Sequence, residues 1–295
     1  MPEATRSRWR RTAVATTAAV LLLAGCGRGG ASARTVQVYY AGSLVELMQQ
    51  SIGPAFTAET GYRFAGYAGD SQALANEIRG REVRADVFIS AAPAVDTALG
   101  SAWVPWYASF ATAPLVLGYN PHSRFAGALG SQPWYRVLAA PGFRLGRTDP
   151  QLDPKGELTV QFVQAAAAYY HQPGLVQQLL GPAENPAQVF PEADLVGRLQ
   201  AGQLDAGFFY SMEAKQAGIP TIPLPGAIDP SATFTLAVVR NAPDAAAAAA
   251  FVHFLLGARG QALLDAAGLH AVPPKLSGDA ADVPPSLRAT LGAHA

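Results

Sequence analysis

Residues 36–91 read VQVYYAGSLVELMQQSIGPAFTAETGYRFAGYAGDSQALANEIRGREVRADVFISA, and two glycine-serine turns inside this stretch decide the fold. Val36, Val38 and Tyr40 alternate as a strand does, and the turn Ala41-Gly42-Ser43 follows them. Leu44, Leu47, Met48 and Ile52 then recur at helical spacing, which predicts Ser43 at the N-cap of a helix. Gly69-Asp70-Ser71 opens a second helical run in the same way, with Leu74, Ala75 and Ile78 on one face. A helix start presents unpaired N–H groups and the positive end of the helix dipole. Two such starts, each with a serine hydroxyl, suit an anion held without a counter-cation. The plainer reading is that each serine only caps its own helix.

Strand-like runs at 86–90, 115–119, 143–147, 188–190 and 205–210 alternate with helical runs near 93–99, 132–138, 156–170 and 192–200. A helix pair at 242–256 and 259–267 ends the pattern, with the alanine run 245–250 as helix interior. Such alternation predicts an α/β protein with a parallel or mixed sheet covered by helices. Residues 110–114 and the Pro/Gly-rich 220–230 are the candidate crossings between two parts of the chain.

AGSL at 41–44, GDSQALANEI at 69–78 and ADVFISA at 85–91 together resemble the N-terminal lobe of periplasmic-type molybdate/tungstate-binding proteins of ABC importers. The resemblance continues through LVLGYNP at 115–121, DPQLDPKG at 149–156 and DAGFFY at 205–210, so it covers nearly all of the chain beyond its N-terminus. It implies a two-lobed, type II periplasmic-binding-protein-like fold with two hinge strands and a ligand cleft between the lobes. Lobe 1 would comprise 35–112 and 226–295, and lobe 2 would comprise 113–225.

In that family a serine from each of the first two turns donates to the oxyanion. The matching positions are Ser43 and Ser71, with Gly42 and Asp70 beside them. Tyr210 matches a tyrosine whose phenol donates to an oxyanion oxygen, although an ordinary half-buried aromatic is the plainer reading of that residue. The backbone N–H groups of 152–156, ahead of the long helix, would add a third set of donors. The resemblance thus implies bound molybdate or tungstate, no cofactor, no catalysis and an ABC importer permease as partner.

One position departs from the pattern. In the branch that shares the DPxLDPxG run, a carboxylate of that run and a glutamate of the later strand raise the metal to six-coordination, and Phe209 stands where the alignment puts that glutamate. Asp149 and Asp153 are then the candidate carboxylates, either of which is open to face the metal, and both also suit a turn before proline. A site made only of donors prefers molybdate, tungstate or sulfate, whereas a carboxylate repels a dianion and accepts a proton from hydrogen phosphate. Phe209→Glu is therefore expected to weaken binding of a tetrahedral dianion, unless the metal accepts the new oxygen.

The 295 residues are half hydrophobic, enough for a sizeable core, and 21 Lys and Arg balance 21 Asp and Glu. With no basic stripe interleaved with aromatics beyond the N-terminus, the composition argues against nucleic acid as a partner. Arg6, Arg8, Arg10 and Arg11, an apolar run at 13–24 and then Leu23-Ala24-Gly25-Cys26 read as a secretory signal. The LAGC tetrad resembles a lipobox, which implies a signal peptide over 1–25 and a lipid on Cys26. The tether over 26–34 would then hold a monomer on the extracytoplasmic side of the cell membrane. Cys26 is the only cysteine, which excludes an intramolecular disulfide and cysteine catalysis.

Other readings remain at this point. Sulfate or phosphate suits the same fold, and so does ferric ion held by phenolates such as Tyr39-Tyr40 or Tyr169-Tyr170. A secreted hydrolase using Ser43 or Ser71 would need a base and an orienting acid. There is no GxSxG or HExxH, and His122, His171, His253, His270 and His294 stand apart from one another. An anion sensor that signals to a partner would share every feature of the transport reading.

Overall fold

The structure is a computed structural model, and it describes residues 34–228 and 230–293. The expected signal peptide, Cys26 and all of the tether but Arg34 lie outside these residues, as does His294. The strands are β1 (Thr35–Ala41), β2 (Arg63–Gly69), β3 (Val87–Ser90), β4 (Trp106–Tyr119), β5 (Leu145–Gly146), β6 (Ala206–Tyr210), β7 (Thr221–Ile222), β8 (Ser231–Val238) and β9 (His270–Gly278).

Val36, Val38 and Tyr40 are all buried, as their alternation predicts, and β1 pairs in parallel with β2 on one side and β3 on the other. Parallel neighbours need crossovers, and the helices Gly53–Thr60 and Ser71–Gly80 supply them. All four residues of β3 are buried, which fits a strand covered on both faces. β8 then runs antiparallel to both β3 and β4.

The fourteen-residue β4 belongs to both halves of the sheet. Its first half, from Trp106 to Pro114, pairs with β8 and β9, and its second half, from Leu115 to Tyr119, pairs with β6 and β7. β5 completes the second half in parallel with β6, giving the order β2-β1-β3-β8-β4-β6-β5. One apolar core runs through both halves, from Phe56 and Phe251 to Phe162 and Phe208.

Several boundaries differ from the sequence expectation. Residues 110–114, a candidate crossing, lie inside β4, the strand common to both halves of the sheet, and Pro114 faces Ser231 there. The strand-like runs read from the sequence include neither β8 nor β9; β9 carries Pro273 and Pro274, which weaken a strand signal, and among the described strands it pairs with β4. The helix expected from 242 begins at Ala245, because the Asp244 carboxylate accepts from the Ala247 N–H at 3.0 Å and fixes the start there. The helix expected from 156 is Pro154–Tyr169, with proline in its first turn where no N–H is needed. Among the described residues no single helix is long and apolar enough to cross a membrane.

Candidate functional site

The two glycine-serine turns do not cap as predicted. Gly42–Leu44 forms a 3-10 turn whose N-cap is Ala41, so Ser43 lies within the turn, buried, with its Oγ unpartnered. In the second turn Asp70 is the N-cap and Ser71 is the first residue of the helix. Ser71 Oγ accepts from the Ala91 N–H at 3.3 Å, which leaves its own proton to donate elsewhere. Neither serine serves its own helix as a cap.

Chain segments far apart in sequence converge beside these turns. Asp70, Asp153 and Glu192 each bring a carboxylate oxygen within 4.8 Å of the others. Asp153 is the N-cap of the Pro154–Tyr169 helix; its Oδ1 accepts from the Lys155 N–H at 2.9 Å, and its Oδ2 has no hydrogen-bond partner. That bond occupies the Lys155 N–H, and Pro154 has none, so the expected third donor set is largely absent. Asp149 stays outside the cluster and accepts from the Gln151 N–H at 2.7 Å, as a turn-former does.

Glu192 is the carboxylate that the sequence reading missed. It starts the Glu192–Gln200 helix, where an acid normally complements the dipole in water, yet here it is buried with Oε2 unpartnered. Its other oxygen accepts from Lys155 Nζ at 2.9 Å, and the same ammonium donates to Glu213 at 2.8 Å. Glu213 in turn accepts from the Tyr210 N–H at 2.7 Å, the return half of a capping box.

Phe209, expected to occupy the place of a ligating glutamate, instead packs with Leu195, Leu199, Leu204 and Ile219. The reason is strand alternation: consecutive residues of β6 point to opposite faces, so Phe209 and Tyr210 cannot share the site. Tyr210 is fully buried with its hydroxyl unpartnered, and Lys155 Nζ lies 5.4 Å from the centre of its ring. A cavity of about 220 Å³ beside it is lined by Ala91, Pro93, Pro154 and Thr233 among others.

The electrostatics are uneven, with four carboxyl groups facing one ammonium. Burial pushes Asp153 up to about 6 against the pull of Lys155. Burial, then the neighbouring Asp153, raises Glu192 well above the usual carboxylate range despite its lysine. Asp70 rises through burial too, opposed by the Glu192 N–H and by Lys155. Burial works against the Lys155 cation, but Glu192, Glu213 and Asp153 outweigh it and keep the lysine charged. Tyr210 is held protonated by burial and by the surrounding carboxylates. The site therefore combines protonated hydroxyl donors with carboxylate oxygens that have no partner of their own.

Of the tyrosines proposed for ferric ion, three pack within the fold and one lies at the surface. Tyr40 accepts from Gln49 Nε2 at 2.7 Å, Tyr39 stacks on Tyr67, and Tyr170 packs against Trp134 and Tyr135 while Tyr169 is exposed.

Among solved structures the chain is similar to the periplasmic molybdate-binding protein of Azotobacter vinelandii, with a TM-score of 0.63 and 20% identity over 81% of this chain and all of that one. It is also similar to the sulfate-binding protein SubI of Mycobacterium tuberculosis, with a TM-score of 0.60 and 17% identity over 81% of this chain and 87% of that one. At such identities the likeness concerns the fold, a mixed α/β periplasmic-binding-protein-like fold of type II. A Haloferax volcanii protein, provisionally named an ABC transporter molybdenum-binding protein, is 35% identical over 70% of this chain and 65% of its own length. The molybdate/tungstate-binding protein WtpA of Pyrococcus abyssi is 27% identical over 73% of this chain and 72% of its own. The chain thus spans just under two thirds of the Haloferax relative. The profile described as bacterial extracellular solute-binding protein matches residues 36–270, and the chain belongs to that family.

Proposed function

We propose that this solute-binding protein captures molybdate or tungstate between the two halves of its sheet and delivers it to an ABC importer. The observation that carries the reading is the set of buried oxygens without partners: Ser43 Oγ and Tyr210 Oη, beside Asp153 Oδ2 and Glu192 Oε2. Buried polar atoms ordinarily find a hydrogen bond, so four in one region suit a polar ligand that would partner them. Hydroxyls donate to the oxygens of an anion, whereas carboxylates repel a dianion unless its central atom can bind them. Molybdenum(VI) and tungsten(VI) accept further oxygen ligands and sulfur in sulfate does not. Ser43, Ser71 and Tyr210 would donate, Gly42 and Asp70 would border the anion, and Asp153 with Glu192 would reach the metal. Asp149 keeps its turn. The relatives' names agree with this ligand.

In this reading residues 35–112 with 226–295 form one lobe and 113–225 the other, because the partners of β4 change at Pro114 and Leu115. The Gln72 N–H donating to the Leu152 carbonyl at 2.9 Å then joins the lobes across the cleft. A signal peptide over 1–25 and a lipid on Cys26 would hold a monomer at the outer face of the membrane, near the permease.

A hard cation is the second reading, favoured by the three carboxylates within 4.8 Å, although Lys155 beside them opposes it. Thermal unfolding of the full chain with molybdate, tungstate, sulfate, phosphate or ferric citrate separates the readings. A ligand at 100 times its dissociation constant stabilises by about 2.7 kcal/mol. Molybdate and tungstate should raise the midpoint where sulfate does not; a shift with ferric citrate or phosphate alone overturns the oxyanion assignment.

A further inference from the structure

Lys155 donates to two carboxylates of the candidate site, through its backbone and through its ammonium. Its backbone N–H holds Asp153 Oδ1 at 2.9 Å, and its Nζ holds Glu192 Oε1 at 2.9 Å. In each carboxylate the second oxygen is the one without a partner. A single residue therefore sets the direction of two unpaired oxygens. Any residue except proline supplies the backbone bond, but only a long cation supplies the other. Nζ is itself anchored by a second acceptor, Glu213 Oε1 at 2.8 Å, and Glu213 is tied through Oε2 to the Tyr210 N–H at 2.7 Å. The lysine cannot follow Glu192 if that side chain swings, because its other bond holds it to the end of β6.

We propose that Lys155, anchored by Glu213, is a specificity-setting positioning residue. It locks Glu192 so that a carboxylate oxygen faces the ligand, and so selects an oxyanion whose central atom can take further oxygens over sulfate. The inference rests on the molybdate/tungstate reading. A locked carboxylate oxygen binds molybdenum or tungsten and repels sulfate. Released, Glu192 can rotate away from the cleft, and the hydroxyl donors that remain serve any tetrahedral dianion.

The test compares tungstate and sulfate affinities by calorimetric titration of the full chain, wild type against Lys155→Met. Because loss of the lysine leaves two buried glutamates unpaired, the double variant Lys155→Met with Glu213→Gln is measured as well. X-ray absorption of bound tungsten counts the oxygens around the metal. The expected result is a preference for tungstate over sulfate that falls by about tenfold or more in whichever variant folds. Wild-type tungsten should have more than four oxygen neighbours, and the variant fewer than wild type. A preference within about twofold of wild type, or only four oxygens in the wild type, overturns the inference while leaving the tungstate reading in place. If neither variant folds, Glu213→Gln alone, which keeps the lysine but loosens its anchor, takes their place in the comparison with the same expected and contrary results. Failure of wild type to bind tungstate at all overturns the functional reading and this inference with it.

Discussion

A Cβ placed on Gly42 would lie 2.4 Å from Glu192 Oε2. The first turn of the chain and the start of a helix 150 residues later thus meet with no room for a methyl group between them. Gly42→Ala is expected to push the Glu192 carboxylate aside and weaken oxyanion binding by about tenfold or more, some 1.4 kcal/mol. The fold should persist, because the clash is with the end of a side chain. Titration together with urea unfolding checks both parts; unchanged affinity would remove Glu192 from the site.

Removing the buried hydroxyls should affect binding and stability in opposite ways. Ser43 Oγ and Tyr210 Oη have no partner within the protein, so Ser43→Ala and Tyr210→Phe should cost no stability. Each should weaken binding by about 1–3 kcal/mol, the value of a hydrogen bond to a charged group. Ser71→Ala should weaken binding similarly and also lose the 3.3 Å bond from the Ala91 N–H, with a small loss of stability. Denaturant curves beside titrations measure both quantities, and wild-type affinity in all three variants would refute the hydroxyl assignment.

Phe209→Glu, which the sequence alone presents as a change in the site, is instead a change in the core. Phe209 is fully buried among Leu195, Leu199 and Ile219. An unpaired buried carboxylate there should destabilise the protein by about 3–5 kcal/mol. A urea midpoint close to wild type would contradict this placement.

Asp96 gives a pH dependence separate from the ligand cluster. It is buried and accepts from Ser90 Oγ at 3.0 Å and from Thr235 Oγ1, and burial raises its pKa to about 6 against those bonds. The unfolded chain has the ordinary, lower value, so between the two the folded protein binds more protons. Asp96 therefore favours folding most at acid pH, and that contribution is lost as pH rises through about 6. The stability of Asp96→Asn relative to wild type should improve between pH 5 and pH 7.5 by about 1.4 kcal/mol, the value of the one pH unit of that window below the folded pKa. Urea unfolding of both proteins at the two pH values measures it, and a constant difference would contradict the shifted pKa.

The elements that could be read from sequence are those whose signal is local. Alternation in 36–40, the helical spacing after Gly42 and after Asp70, and the strand ending at Tyr210 each lie within one short window. Glu192, Lys155 and Glu213 carry no such mark. A glutamate in a first turn looks like a complement to the helix dipole, and one three residues after a strand end looks like half of a capping box. Only the tertiary fold brings them to one lysine. Phe209 is different, because alternation along 205–210 already implies that it and Tyr210 face opposite ways. β9 stayed hidden because Pro273 and Pro274 argue against a strand until β4 is seen to supply its partner.

β4 has a further consequence, for how the molecule comes apart. Its first half pairs with β8 and β9, and its second half with β6 and β7, without a break in the chain between them. Neither half of the sheet can melt and leave β4 fully paired. Loss of the partners on one side frays a strand on which the other side depends, so heating should produce one cooperative transition instead of two independent ones.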